Sequence, residues 1–276
     1  LNFLSFAEAH GLDIRSLVRG RISRCPTKDH PAKQNGAYLF DGNWGWAQNW
    51  ASMLDPAYWH DAAITKPDDL AALRLRMAES RRQQEKQREA DARRAAEKAA
   101  AIIRQATAGP HSYLENHGIK DHGLTYNPNE TTELLVIPMR IGKDIAGCQL
   151  IGNDGGKKFI RGQRTNDAEH VIGSSGVDLY VEGYCTGLAV YKSASALKMP
   201  VKVHVCFSAG NLKRMATNGL VVADHDTAGI EAASGRPYYL PEEVGTDFCD
   251  EWQRIGTLRA GLKLQKFILE NRRKCK

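Results

Sequence analysis

Five carboxylates stand directly after short apolar runs. Glu182 closes VDLYVE (177–182) and is followed by Gly183. Asp224 and Asp226 end the run LVVADHD and are followed by Thr227, Ala228 and Gly229, while Asp247 and Asp250 lie in GTDFCD. The runs read as strands, each followed by a helix-like stretch. That alternation implies a parallel α/β sheet, and in such sheets ligands gather beyond the carboxyl ends of the strands. Carboxylates brought together there raise each other's pKa values or recruit cations. Hard oxygen ligands suit Mg²⁺ or Mn²⁺ better than Zn²⁺. Such an ion binds phosphate, activates a hydroxyl and stabilises a leaving phosphate oxygen. Glu182 is also a candidate for proton transfer. An acid at a strand end also has a plain structural use as a turn residue or cap: Asp226 precedes TAGIEAA and Asp250 precedes EWQRIG, helix-like runs that they are placed to cap.

A second group is basic. Lys157, Lys158, Arg161 and Arg164 fall within eight residues, just upstream of the first acidic strand. Strand alternation would put Lys157, Phe159 and Arg161 on one face. Lys and Arg in such a cluster either stay solvated or contact phosphates in a sequence-independent, salt-dependent way. Lys213, beside Arg214 after FSAGN, is a further candidate of the same kind.

The elements that must position these residues divide by composition. Residues 1–65, rich in Gly, Asn and Trp, read as a small β-rich module. Residues 66–108 are dominated by Ala, Arg, Glu, Lys and Gln, with Pro67 near their start and Gly109-Pro110 just beyond their end. They predict one charged linker helix about 60 Å long. It carries 11 Lys or Arg against 7 Asp or Glu and no large apolar residue between Ala78 and Ala101. A solvated spacer is expected, with a basic arm touching nucleic acid as the alternative. Residues 109–176 contain LLVIPMRI (134–141), IAGCQLIG (145–152) and KKFIRG (157–162), an antiparallel set joined by Gly-bearing turns. Residues 177–250 hold the βα alternation, with helices over 186–198, 211–218 and 227–234. Residues 251–276 form an amphipathic closing helix.

EGYCTGLAVYKS followed by VVADHDTAGIEAA resembles the Toprim domain, shared by DnaG-type primases, topoisomerases and some nucleases. The resemblance implies an α/β Toprim core, with Glu182, Asp224 and Asp226 as its catalytic and metal-binding acids. Asp247, and with it Asp250, matches the later acidic motif of the primase branch, and the resemblance implies that both complete the metal-binding ring. HSYLENHGI (111–119), the stretch containing GNDGGKKFIRG, FSAGNL (207–212) and CPTKDHPAKQNGAYLFDGNWGW (25–46) are similar to segments of the phage and plasmid primases. In those proteins a basic subdomain precedes the Toprim core, and an N-terminal zinc ribbon precedes both. Here Cys25 and His30 look like remnants of a first ligand pair. The second pair falls near GNWGWAQNW, which offers Trp44, Trp46 and Trp50 but no Cys or His. A degenerate, zinc-ribbon-like module without zinc is therefore expected. Its Trp residues either form the core or stack on single-stranded bases beside Arg19, Arg21, Arg24 and Lys33.

The activity so implied is that of a DNA primase making short RNA primers on single-stranded DNA from nucleoside triphosphates. Two Mg²⁺ or Mn²⁺ ions would assist, Lys157, Lys158, Arg161, Arg164 and Lys213 would hold phosphates, and a separate replicative helicase would be a partner. The alternatives are a Toprim metal-dependent nuclease and a non-catalytic DNA-binding replication accessory protein. Composition narrows the field. The net charge of +6 suits a polyanionic partner. The six cysteines never form a C-x-x-C pair, which argues against a disulfide framework and fits a cytoplasmic setting. No apolar run approaches the length of a membrane helix, and LNFLSFAEAHGLDIR lacks the layout of a secretory signal. There is no G-x-x-x-x-G-K-[ST] loop, so no fused P-loop helicase is expected.

Overall fold

The structure, a computed structural model, describes residues 2–53, 55–62 and 67–271, and the side chains of all of these except 67–74. Cys275 and the end of the tail lie outside the described residues. The chain forms two compact units, Leu1–Lys86 and Gln87–Lys276.

In the first unit, helix α1 (Phe3–Ala9) is capped by Asn2, whose side chain accepts from the Ser5 N–H at 2.9 Å. Strands β1 (Ser23–Cys25), β2 (Gly36–Phe40), β3 (Trp44–Asn49) and β4 (Ala57–His60) form an antiparallel sheet in chain order. Phe3, Ala7, Leu12, Cys25, Tyr38 and Ala47 make one core cluster, in which Phe3 stacks on Phe40 at 5.0 Å. Trp44 and Trp46 pack with Ala37 in another, so both indoles are core. Trp50 is 44% exposed, with the Arg24 guanidinium 5.2 Å from its ring centroid. Cys25 is buried, and burial pushes its thiol up to about 11, so it packs as a small hydrophobe.

Helix α2 (Pro67–Gln105) runs unbroken through a sequence without internal Gly or Pro. Its last turns are not a solvated spacer. Ala95, Ala99 and Ile102 are buried with Val136, Cys148 and Ile160. Alanines at i and i+4 let the helix lie close to a sheet without any large apolar residue, so a count of large residues missed this face.

The sheet it covers is an antiparallel meander of β5 (Thr107–Gly109), β6 (Gly123–Asn129), β7 (Thr132–Ile141), β8 (Asp144–Gly152) and β9 (Lys157–Phe159). A short helix, α3 (Ser112–Asn116), lies between β5 and β6. The next sheet contains β10 (His170–Ile172), β11 (Val177–Val181), β12 (Val201–Val205), β13 (Leu220–Val222) and β14 (Tyr238–Tyr239), in the spatial order β10-β12-β11-β13-β14. The last four are mutually parallel, and β10 runs antiparallel on the β12 edge. Helices α4 (Tyr184–Ala196), α5 (Ala209–Met215) and α6 (Thr227–Ala233) make the crossovers, followed by α7 (Phe248–Ile255) and α8 (Thr257–Asn271). The mixed α/β architecture read from the alternation is thus present.

α4 packs on β12, α7 and α8, and α5 packs on α6. Gly187 permits the close approach of α4: a Cβ there would lie 2.7 Å from a Val205 methyl. The closing helix read over 251–276 is two helices, because Gly256 adopts φ +81° and ends α7.

Candidate functional site

From β11 the chain crosses to β12 on one side, then returns to β13 on the other. The carboxyl ends of β11 and β13 therefore flank the point where strand order reverses, the place where open α/β sheets bind ligands. Glu182 is the residue after β11, and Asp224 follows β13 by two. Asp226 is the N-cap of α6, its Oδ1 accepting from the Gly229 N–H at 2.7 Å. Gly229 has a steric reason to be glycine: a Cβ would stand 2.4 Å from the Asp224 carbonyl oxygen, so only glycine lets α6 start so close to that acid.

Asp247 caps α7 in a reciprocal box with Asp250. The Asp250 N–H donates to Asp247 Oδ1 at 2.9 Å, and the Asp247 N–H donates to Asp250 Oδ2 at 3.0 Å. The other oxygen of Asp247 accepts from the hydroxyl of Thr186, a buried residue in the first turn of α4, at 2.7 Å. One hydrogen bond thus ties the start of α7 to the start of α4, beside Glu182. Asp250 is exposed and is engaged as a cap.

The acids feel one another. Burial raises the Asp224 carboxyl to about 7, and Asp247, Glu182 and Asp226 add to the rise, while Lys157 opposes it. Burial likewise raises Glu182, Asp226 adds to this, and Lys157 again opposes. Oδ1 of Asp224 is buried without a hydrogen-bond partner. An unpaired carboxylate oxygen among three other acids is costly unless a proton or a cation meets it. Among the described residues no three His, Cys, Asp or Glu side chains are already drawn into a metal cage. The acids lie within one another's electrostatic reach without forming a finished coordination shell. Glu182, Asp224 and Asp226 supply oxygens suited to a hard divalent cation, and Asp247 has both of its oxygens engaged by protein donors.

The basic residues separate. Lys157 is the cation whose field reaches Glu182 and Asp224, and its Nζ lies 5.7 Å from the Tyr113 ring centroid. Lys158, the next residue of β9, is exposed, as is Lys213 in the last turn of α5. Arg161 instead acts on Asp91 of α2. Arg164 pairs with Asp167 at 3.4 Å, a carboxylate it shares with Arg214 at 3.8 Å.

Two features lay beyond sequence reading. Thr186 was visible as a residue near a helix start, but its bond to Asp247 spans 61 positions. Phe207, just past β12, has φ +67° and donates its N–H to the Glu182 carbonyl at 2.8 Å. Its ring meets Phe159 of β9 edge to face, with centroids 6.4 Å apart. No local pattern announces a left-handed phenylalanine.

No family model matches the sequence, and no curated protein matches it. Among solved structures, a chain from an assembly of bacteriophage T7 is similar. That assembly holds the lagging-strand DNA polymerase interacting with primase domains of two gp4 subunits bound to an RNA/DNA hybrid and dTTP. The similarity covers 55% of this chain and 83% of that one, at TM-score 0.37 and 16% identity. A likeness at that level carries nothing over to the chemistry of this chain.

Proposed function

We propose that Glu182, Asp224 and Asp226 form a divalent-cation site of Toprim type, and that the chain is a primase joining ribonucleotides on a single-stranded DNA template. The observation that carries this reading is the buried, unpartnered oxygen of Asp224, set among Glu182, Asp226 and Asp247 at the switch point of a parallel sheet. Bound Mg²⁺ or Mn²⁺ supplies the Lewis acidity that makes a 3′-hydroxyl a nucleophile and neutralises a triphosphate.

The chain's own groups do the rest. Asp224 and Glu182 hold the negative charge that selects a cation. Asp226 contributes an exposed oxygen while anchoring α6. Asp247, fixed by Thr186 and its capping box, adds to the field at Asp224. Lys157, whose field reaches both Glu182 and Asp224, is the group that receives phosphate, while Lys158 alternates to the other face of β9. A lysine within the electrostatic reach of these acids suits a reaction that carries phosphate-borne negative charge.

The test is primer synthesis with single-stranded DNA, labelled ribonucleotides and Mg²⁺ or Mn²⁺. Short labelled products establish the reading. DNA shortened without added nucleotides would replace it with a nuclease using the same acids and water. Salt-sensitive DNA binding with neither product nor cutting, with or without a replicative helicase supplied, would replace it with an accessory role.

A further inference from the structure

We infer that Phe159 and Phe207 form a stacking platform for an unpaired base of single-stranded DNA, at the open edge of the meander sheet beside the acidic site. β9 is the last strand of that sheet, and all three of its residues, Lys157, Lys158 and Phe159, are exposed. Phe159 follows the two lysines on this edge strand and, although its ring meets Phe207, remains 43% exposed. Lys157 and Phe159 share one face of β9 by alternation. That face looks toward the site: Lys157 acts on Glu182 and Asp224, and Phe159 meets Phe207.

Phe207 supplies an independent observation. It is partly buried against the core and holds φ +67°, a strained conformation for a bulky residue that clusters at ligand-binding positions. Its N–H is tied to the carbonyl of Glu182, so the platform and the acid are fixed to each other through one peptide.

The occupant follows from shape and charge. A mononucleotide site encloses most of its ligand, whereas this is an open edge. An exposed ring beside Lys157 and Lys158 on such an edge matches a single strand, which offers bases to stack and phosphates to pair. The inference rests on the reading that the site acts on a polynucleotide. Its test needs no turnover, so the two can fail separately.

The experiment uses the full chain and two fluorescent oligonucleotides of equal length and charge, one of thymidine and one of abasic residues, read by anisotropy without nucleotides. Phe159→Ala is expected to weaken thymidine binding about 5- to 100-fold and to leave abasic binding unchanged. Phe159→Trp should retain it. Photocrosslinking from 5-iodouracil should map to Phe159 or Phe207. Equal loss on both oligonucleotides, or no loss on either, overturns the inference. So does a Phe159→Ala variant that loses ATP binding alone, since the platform would then serve a free nucleotide. The exposure of Phe159 makes misfolding a poor explanation, and an unchanged melting temperature checks this.

Discussion

At Asp224 a buried carboxylate carries a local cost. Its carboxyl is raised from 3.8 to about 7 in the folded chain by burial, with Asp247, Glu182 and Asp226 adding to the rise. The folded state therefore holds this proton more tightly than the unfolded state does, and the group's contribution to stability falls as pH rises from about 4 through about 7. Asp224→Asn removes that loss. Without divalent cation, the variant should melt close to the wild type at pH 4 and above it at pH 8, by the equivalent of a few kcal/mol. Thermal denaturation across that range checks it, and a constant difference would mean that Asp224 is not strained. Thr186 works through Asp247 and belongs to the same scale. Thr186→Val should cost about 1–3 kcal/mol by leaving a carboxylate oxygen without its donor. Thr186→Ser should restore the Mg²⁺ dependence of activity, which simple loss of packing would not predict.

At the scale of elements, the parallel sheet is held on its β10 edge by a histidine. His204 of β12 bonds Asp178 of β11 through Nε2 at 2.9 Å and Glu169, next to β10, through Nδ1. Its ring stacks on Tyr180 at 4.5 Å. Burial favours the neutral ring and Lys202 works in the same direction, but the two carboxylates outweigh both and raise the pKa above 6.5. A histidine raised on folding stabilises most below its unfolded pKa, and that support is lost as pH rises through the folded value. His204→Gln should therefore be destabilised most below pH 6.5, with the deficit shrinking at alkaline pH. A deficit independent of pH, measured in urea, would show that the carboxylates leave the ring neutral. How much of these elements was legible depends on range. VDLYV, VKVHV and LVV were readable because apolar runs alternate with helix formers. The acids were readable because they stand where those runs end. The pairing of β10 with β12 and the bond from Thr186 to Asp247 are made between residues far apart in sequence, and so left no periodicity to find. Gly256 was missed as a helix end because Leu and Phe spacing continues across it.

For the whole molecule, every core cluster among the described residues closes within one unit. Phe3, Tyr38 and Trp46 belong to clusters confined to the first unit, and Ile102, Val181, Leu212 and Phe248 to clusters confined to the second. A fragment of residues 87–276 should thus fold alone and melt cooperatively, within a few degrees of one transition of the full chain. Calorimetry decides it, and a broad, non-cooperative trace would show that the two units depend on each other. The net charge of +6 adds a condition to any nucleic-acid measurement on the intact chain, since affinity should fall steeply with salt.

The central claim is that the acids at the ends of β11 and β13 transfer nucleotides. Its most direct test is the yield of labelled dinucleotide on single-stranded DNA, with wild type and Asp224→Asn side by side at pH 8 and melting temperatures of the same two proteins recorded without divalent cation. The account predicts product from the wild type and a loss beyond the 10- to 100-fold typical of residues that only support a metal ligand, in a variant that is more stable than its parent. Undiminished product from Asp224→Asn would contradict it.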